Sequence, residues 1–308
     1  MNNYPTVLNT AKCSSSVHFP ARHFLDFYFT FFPPAMIPSL VVLTDFYAVT
    51  NRTLSYAAGL AVPLGAQLVL LHVRHDPLLG PTTYHRADIP RDQRQTRQAL
   101  LDLAAKQPVA TTVDVAAGFL PEAVTEAVRV HHPLFLVLAR PGQDAETAEF
   151  VTSTAVDVLR NAPYPLLVVP AVGWDASPPR RLLLAVDGEP FRLRPHQDLL
   201  RRLLYATEGT LDVVHVTDDE HAQPDAAAVR QAVDANDLVD QLPASRQHEV
   251  YNPSVLAGML QEADRLKADL LVVVARHHGA LGGLFHQSQT ARLIQESPIP
   301  VLILPAED

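Results

Sequence analysis

Cysteine occurs once in 308 residues, at Cys13. That excludes an internal disulfide framework and any zinc site built on cysteine, and a lone thiol fits a reducing compartment. Lysine is almost as scarce. Lys12, Lys106 and Lys267 are the only three, and none follows a glycine-rich turn, so a Walker-type phosphate loop is excluded. No Gly-x-Ser-x-Gly elbow and no His-Glu-x-x-His zinc motif occurs, which leaves no familiar hydrolase signature. No apolar run approaches the roughly 20 residues that a membrane span needs. Positive charge is also short. A formal charge of −9 and a pI near 5.8 argue against a nucleic-acid surface.

Apolar residues are abundant, at 48% against 19% charged. Such a chain can bury a real core, and its length suits two domains of roughly 150 residues. Residues 1–35 stand apart, with eight of the aromatics, most of them between Phe24 and Phe32. That stretch is short and carries Asp26, and no cleavage site of small residues follows it. The expectation is a disordered leader, or a segment upstream of the true start, with Met36 opening the folded part.

From Met36 the chain reads as one pattern written twice. Leu40-Val41-Val42-Leu43-Thr44-Asp45 and Leu182-Leu183-Leu184-Ala185-Val186-Asp187 are apolar runs ending in an acid. Helical spacing follows in each half, over Arg52 to Pro63 and Asp198 to Ala206. Second strands then end in His-Val, at His72-Val73 and His215-Val216. The acids are 142 residues apart and the histidines 143. Helical segments from Arg91 to Lys106 and Asp225 to Gln241 lead to strands at Thr112 to Ala116 and His248 to Tyr251. Helices at Pro121 to His131 and Ser254 to Lys267 come next, then the apolar runs Leu134 to Ala139 and Leu270 to Ala275. Unbroken runs of this kind suit strands covered on both faces. A further helix and a last strand close each half, Pro165 to Pro170 and Pro300 to Pro305, and the flanking prolines suit strand ends at an exposed sheet edge. The order predicts two tandem doubly wound α/β domains with parallel sheets, spanning 36–173 and 180–308 and joined by a linker at 174–179.

The strand-1 acid, the Leu-Leu-His-Val second strand and the finish Ala-Val-Asp-Val-Leu-Arg-Asn-Ala-Pro-Tyr-Pro-Leu-Leu-Val-Val-Pro resemble a universal stress protein domain. Asp269-Leu270 entering Val-Val-Val-Ala-Arg-His-His-Gly, with Ser297-Pro298-Ile299-Pro300-Val301, resembles a second. The resemblance implies five-stranded parallel sheets of order 3-2-1-4-5. It also implies pairing through the last strands, so the tandem chain would form an internal pseudo-dimer, and a homodimer is a further option.

In nucleotide-binding members the strand-1 acid and the main chain after strand 2 hold the adenosine. The loop after strand 4 carries glycine, two residues, glycine, about nine residues, then glycine and Ser or Thr around the phosphates. Such a loop has its own logic, since glycines let main-chain N–H groups approach phosphate oxygens at a helix N-terminus. Carried onto this chain, the candidates in the first half are Asp45, Val73, Gly142 and Ser153. That half departs from the pattern, because Asp144, Glu146 and Glu149 stand where phosphate would lie and would repel it. In the second half the candidates are Asp187, Val216, Gly279, Gly282, Gln287 and Ser288, although the loop is short and Gln287 replaces the last glycine. Asp45 and Asp187 read equally as acids capping the next loop, and His72 and His215 as sheet-end side chains with backbone partners. The pairs His131-His132 and His277-His278 lack a supporting carboxylate at the right spacing, so no metal site is expected.

The resulting expectation is a cytoplasmic, stress-responsive protein that acts by binding a small-molecule nucleotide, ATP or another adenine nucleotide, more readily in the second half. It is expected not to be an enzyme beyond very slow ATP hydrolysis, and to bind neither nucleic acid nor membrane. The alternative is a protein-interaction module with vestigial clefts, in which an unknown protein is the partner.

Overall fold

Continuous Leu and Val runs give a strand no face to show to water, so helices must cover both sides of its sheet. The computed structural model describes residues 37–44, 49–74, 93–140, 154–172, 177–193, 196–221, 226–238, 246–276 and 287–306. In the first half these form β1 (Ser39–Leu43), α1 (Val49–Leu64), β2 (Gln67–Arg74), α2 (Gln93–Ala104), β3 (Thr111–Ala117), α3 (Leu120–His131), β4 (Pro133–Arg140), α4 (154–161) and β5 (Leu166–Pro170). The second half repeats them as β6 (Arg181–Val186), α5 (Asp198–Thr207), β7 (Thr210–Thr217), α6 (Ala226–Ala235), β8 (Gln247–Tyr251), α7 (Val255–Arg265), β9 (Leu270–Arg276), α8 (Gln287–Glu296) and β10 (Val301–Ala306).

The strands join in one sheet of order β3-β2-β1-β4-β5-β10-β9-β6-β7-β8. Each half is therefore a parallel 3-2-1-4-5 sheet, and β5 meets β10 antiparallel at the centre. Side chains alternate between the faces as the pleat demands. Leu40 and Val42 of β1 join a core layer with α1, α2, α5 and α6. Val41 and Leu43 join the opposite layer with α3, α4, α7 and α8. Helices α1 and α5, from different halves, pack together on the first of these faces.

The prolines that end β5 and β10 do not mark an exposed edge, because these strands lie in the middle of the sheet. The reason they are tolerated is the shortness of the central ladder. It pairs only Leu166–Ile303, Leu167–Leu302 and Val168–Val301, so Pro170 and Pro305 fall beyond it, where no ladder donor is required. Residues 135 apart, such as Pro165 and Pro300, hold equivalent places in the two halves. Leu167 and Leu302 are thus each other's equivalents, and a local twofold axis passes between them.

Helix α6 stops at Ala235, well short of the expected Gln241. Asp237 turns left-handed at φ 50° and the Leu238 amide donates to the Val233 carbonyl at 3.4 Å, a Schellman ending. Helix α7 begins as expected. The Ser254 hydroxyl caps it by accepting from the Ala257 amide at 3.3 Å. Among the described residues no helix is long and apolar enough to cross a membrane. The leader, residues 1–35, lies outside the described residues.

Candidate functional site

An open parallel sheet has one place where strands diverge to leave a cleft. It lies at their carboxyl ends, where the strand order reverses. Here that falls between β1 and β4 and, in the second half, between β6 and β9.

Asp187 follows β6 directly at the second of these points. Its side chain is only 5% exposed. Oδ1 accepts from the Glu189 amide at 3.1 Å and from Arg276 Nη2 at 2.6 Å. Arg276 is the last residue of β9, and the same nitrogen donates to the Glu189 carbonyl at 2.7 Å. Asp187 Oδ2 is buried with no hydrogen-bond partner among the described residues. Burial pushes the Asp187 carboxyl above its ordinary range, and the Arg276 charge only partly offsets that. Asp187 thus caps its own loop, as the simpler reading expects, and its other oxygen takes no partner among the described residues. A second buried oxygen without a partner among the described residues, Gln289 Oε1, lies in the first turns of α8.

Val216 lies near the end of β7. The next carbonyl, that of Thr217, accepts from the Asn252 amide on the β8 side. Neighbouring carbonyls alternate sides, so that of Val216 faces the β6 edge, past the last β6–β7 pair, Val186 with His215. Val73 is placed the same way in the first half, because the Arg74 carbonyl accepts from the Gly118 amide on the β3 side. Both positions therefore turn main-chain groups toward the crevice of their own half.

The two histidines differ. His72 is buried and donates from Nδ1 to the Thr44 carbonyl at 2.9 Å. Among the described residues His215 shows no such backbone bond and instead pairs through Nδ1 with Glu249 Oε2 at 2.9 Å, in place of the expected backbone partner. The difference follows from register. β8 places Glu249 directly opposite His215, whereas β3 places Val115 opposite His72. The His215 ring lies beside Gly188, whose φ of +80° disfavours any residue with a Cβ.

Asp45, Gly142, Ser153, Gly279 and Gly282 lie outside the described residues. Gln287 and Ser288 open α8, and their side chains lie outside the described set. The residues that sequence reasoning missed are Arg276, Glu249 and Gln289. A basic residue at the end of the strand-4 run was the available signal for the first of them, since that is where a doubly wound sheet opens.

Other polar clusters are internally satisfied. His131 Nε2 pairs with Asp114 at 2.9 Å, and His248 Nε2 with Asp212 at 3.0 Å. Arg202 is held by Asp198 at 2.7 Å, and Arg201 pairs with Asp237, so the groove beside α5 presents neutralised cations. Among the described residues no group of three His, Cys, Asp or Glu could hold a metal ion.

The model of the universal stress protein family matches residues 36–170 and again 179–305. No curated protein matches the chain. Among solved structures it is similar to a universal stress protein from Archaeoglobus fulgidus DSM 4304, at 17% identity and TM-score 0.58, over 88% of this chain and 97% of that one. It is also similar to a functionally unknown protein from Pseudomonas aeruginosa PAO1, at 16% identity and TM-score 0.55, over 88% and 93%. At such identities the likeness speaks to the fold.

Proposed function

The chain belongs to the universal stress protein family as two domains in tandem, and from that premise we propose that it acts by binding an adenine nucleotide in the crevice of its second half. The observation that carries this reading is Asp187 Oδ2, a buried carboxylate oxygen without a partner among the described residues, at the point where the strand order reverses. Such an atom is expensive to bury alone and calls for a donor. A nucleoside offers donors in its ribose hydroxyls and exocyclic amine. The Val216 carbonyl, turned to the same edge, adds a further main-chain acceptor. The N-terminal end of α8 is the natural seat for phosphates. The proposed role is binding rather than turnover, in a stress-responsive cytoplasmic protein.

One observation favours the competing reading of a protein-interaction module. Arg276 already satisfies Asp187 Oδ1, so the crevice holds an ion pair of its own. Isothermal titration of the full chain with ATP, ADP and AMP separates the two. Saturable heat that disappears in Asp187→Asn supports nucleotide binding, and no heat from any of the three at sub-millimolar concentration rejects it.

A further inference from the structure

β4 ends at Arg140, and the ladders fix its counterpart in the second half. Arg140 pairs with Pro170 and Ala275 with Pro305, so the second pair is the first moved by 135 residues. The local twofold axis therefore exchanges Arg140 with Ala275. Arg140 shares a face with Leu136 and Leu138 of its strand, which belong to the layer that α8 packs into. From there it crosses the seam and donates to the carbonyls of Gln295 and, at 2.6 Å, Ser297, at the end of α8. Terminal helix carbonyls lack intrahelical partners and carry the negative end of the helix dipole, so a guanidinium suits them. Ala275 has no side-chain donor to return to the end of α4. The symmetry is broken here: the first half grips a helix of the second, and Ala275 cannot reciprocate.

The grip matters because of how α8 is anchored. The helix has ten residues and is therefore about 15 Å long. Among its described residues the buried apolar side chains are Leu293 and Ile294, both in the half next to Arg140. Toward the other end Thr290 is buried but polar, and Gln289 Oε1 is buried with no partner among the described residues. Because α8 follows β9 in the chain, that other end lies on the carboxyl side of the sheet, where the second crevice opens. The helix is thus a lever, fixed at its C-terminal end and carrying its N-terminal end toward the crevice. A tilt of about 4° moves the far end of such a rod by about 1 Å. An error of that size is enough to spoil the placement of a bound group.

Resting on the nucleotide reading above, we propose that Arg140 is a positioning residue for the second crevice. It is a side chain of the first half that fixes α8, so that the N-terminal amides of that helix meet the phosphates of a nucleotide held at Asp187. The phosphate seat is then a property of the tandem and not of the second half alone. Loss of the guanidinium lets α8 tilt and weakens the hold on phosphate. It leaves the nucleoside contacts in place, because Asp187 and Val216 are carried by β6 and β7 and not by α8. A prepared seat binds more tightly than one that must be ordered by its ligand. In the first half α4 lacks this brace, since Ala275 stands where the arginine would be.

The test is calorimetric titration of ATP into the full chain as wild type, Arg140→Met and Arg140→Lys, with adenosine affinity read from its displacement of ATP. Melting curves establish that each chain is folded at the titration temperature. The expected result is about tenfold weaker ATP binding by Arg140→Met, with adenosine affinity unchanged. Arg140→Lys should lose less, because its ammonium keeps the charge but not the planar fork. Unchanged ATP binding in Arg140→Met overturns the positioning role. So does an equal weakening of ATP and adenosine, since a general loosening of the fold spares neither ligand. If Arg140→Met does not fold, the same comparison in Arg140→Lys decides, with a loss confined to ATP expected. A wild-type chain that takes up no ATP, or ATP that adenosine cannot displace, rejects the nucleotide reading itself and the inference with it.

Discussion

Two acids stitch β6 to β9 from opposite ends, and they titrate in opposite directions. Asp269, just before β9, is pushed up by burial. The Arg181 side-chain bond at 2.8 Å and the amides of Arg180 and Arg181 outweigh that and hold it below the usual carboxylate value. For Asp187 the balance is reversed, because burial outweighs Arg276 and the carboxyl is raised. The stability linkage follows from these directions. A raised carboxyl binds its proton more readily in the folded state, so its burden on folding is relieved as pH falls from neutral toward 3.8. Melting curves of wild type and Asp187→Asn should show the wild type gaining on the variant across that interval. Wild type against Asp269→Asn should show the reverse, an advantage present at neutral pH and lost on acidification below 3.8. A pH-independent difference for either pair would refute the assignment. The places of Asp187 and Val216 were legible in the sequence, because a strand-ending acid and the end of the second strand must sit at the crevice of such a sheet. Arg276 was not. Its bond to a residue 89 positions away depends on β6–β9 register, which no local pattern encodes.

At the scale of elements, strands were legible wherever an unbroken apolar run had to be covered on both faces, as in Leu270 to Ala275. Helix α6 shows where such reading stops. Its helical spacing continues past Ala235, but the chain is drawn off by Asn236, a buried side chain with three bonds of 2.8 Å. Its carbonyl oxygen accepts from the Leu193 amide, and its amide nitrogen donates to the carbonyls of Phe191 and Ala232. One residue thereby ends a helix and fixes the segment that follows Asp187 and Glu189. Asn236→Ala would leave the Leu193 amide and the Phe191 carbonyl buried without partners, a loss of about 2–4 kcal/mol. Denaturant unfolding should report that loss, and amide exchange at Leu193 should accelerate. A variant as stable as wild type would mean that water replaces both bonds without penalty.

Across the whole molecule, the two halves are one sheet because β5 and β10 close a ladder of three residue pairs, a short seam for ten strands. The apolar runs forecast these strands but placed their prolines at an edge, since nothing local distinguishes an outer strand from one whose ladder is brief. A seam of that length needs reinforcement from outside the ladder. On one face α1 packs on α5. At one end Arg140 holds the carbonyls of Gln295 and Ser297; burial lowers its basicity, and a guanidinium keeps its charge in proteins. Charge-assisted bonds to carbonyls in a half-buried setting contribute more than a neutral pair, so Arg140→Met should destabilise the fold by roughly 2–3 kcal/mol. The location of the effect matters more than its size. If Arg140 acts on the seam, amide exchange should quicken in β5 and β10 and along the end of α8, while β2 and β7, two strands or more from the seam, keep their protection relative to global unfolding. Uniform loss of protection across all ten strands would show that the halves unfold as a single unit, and Arg140 would then be an ordinary helix cap with no special claim on the junction.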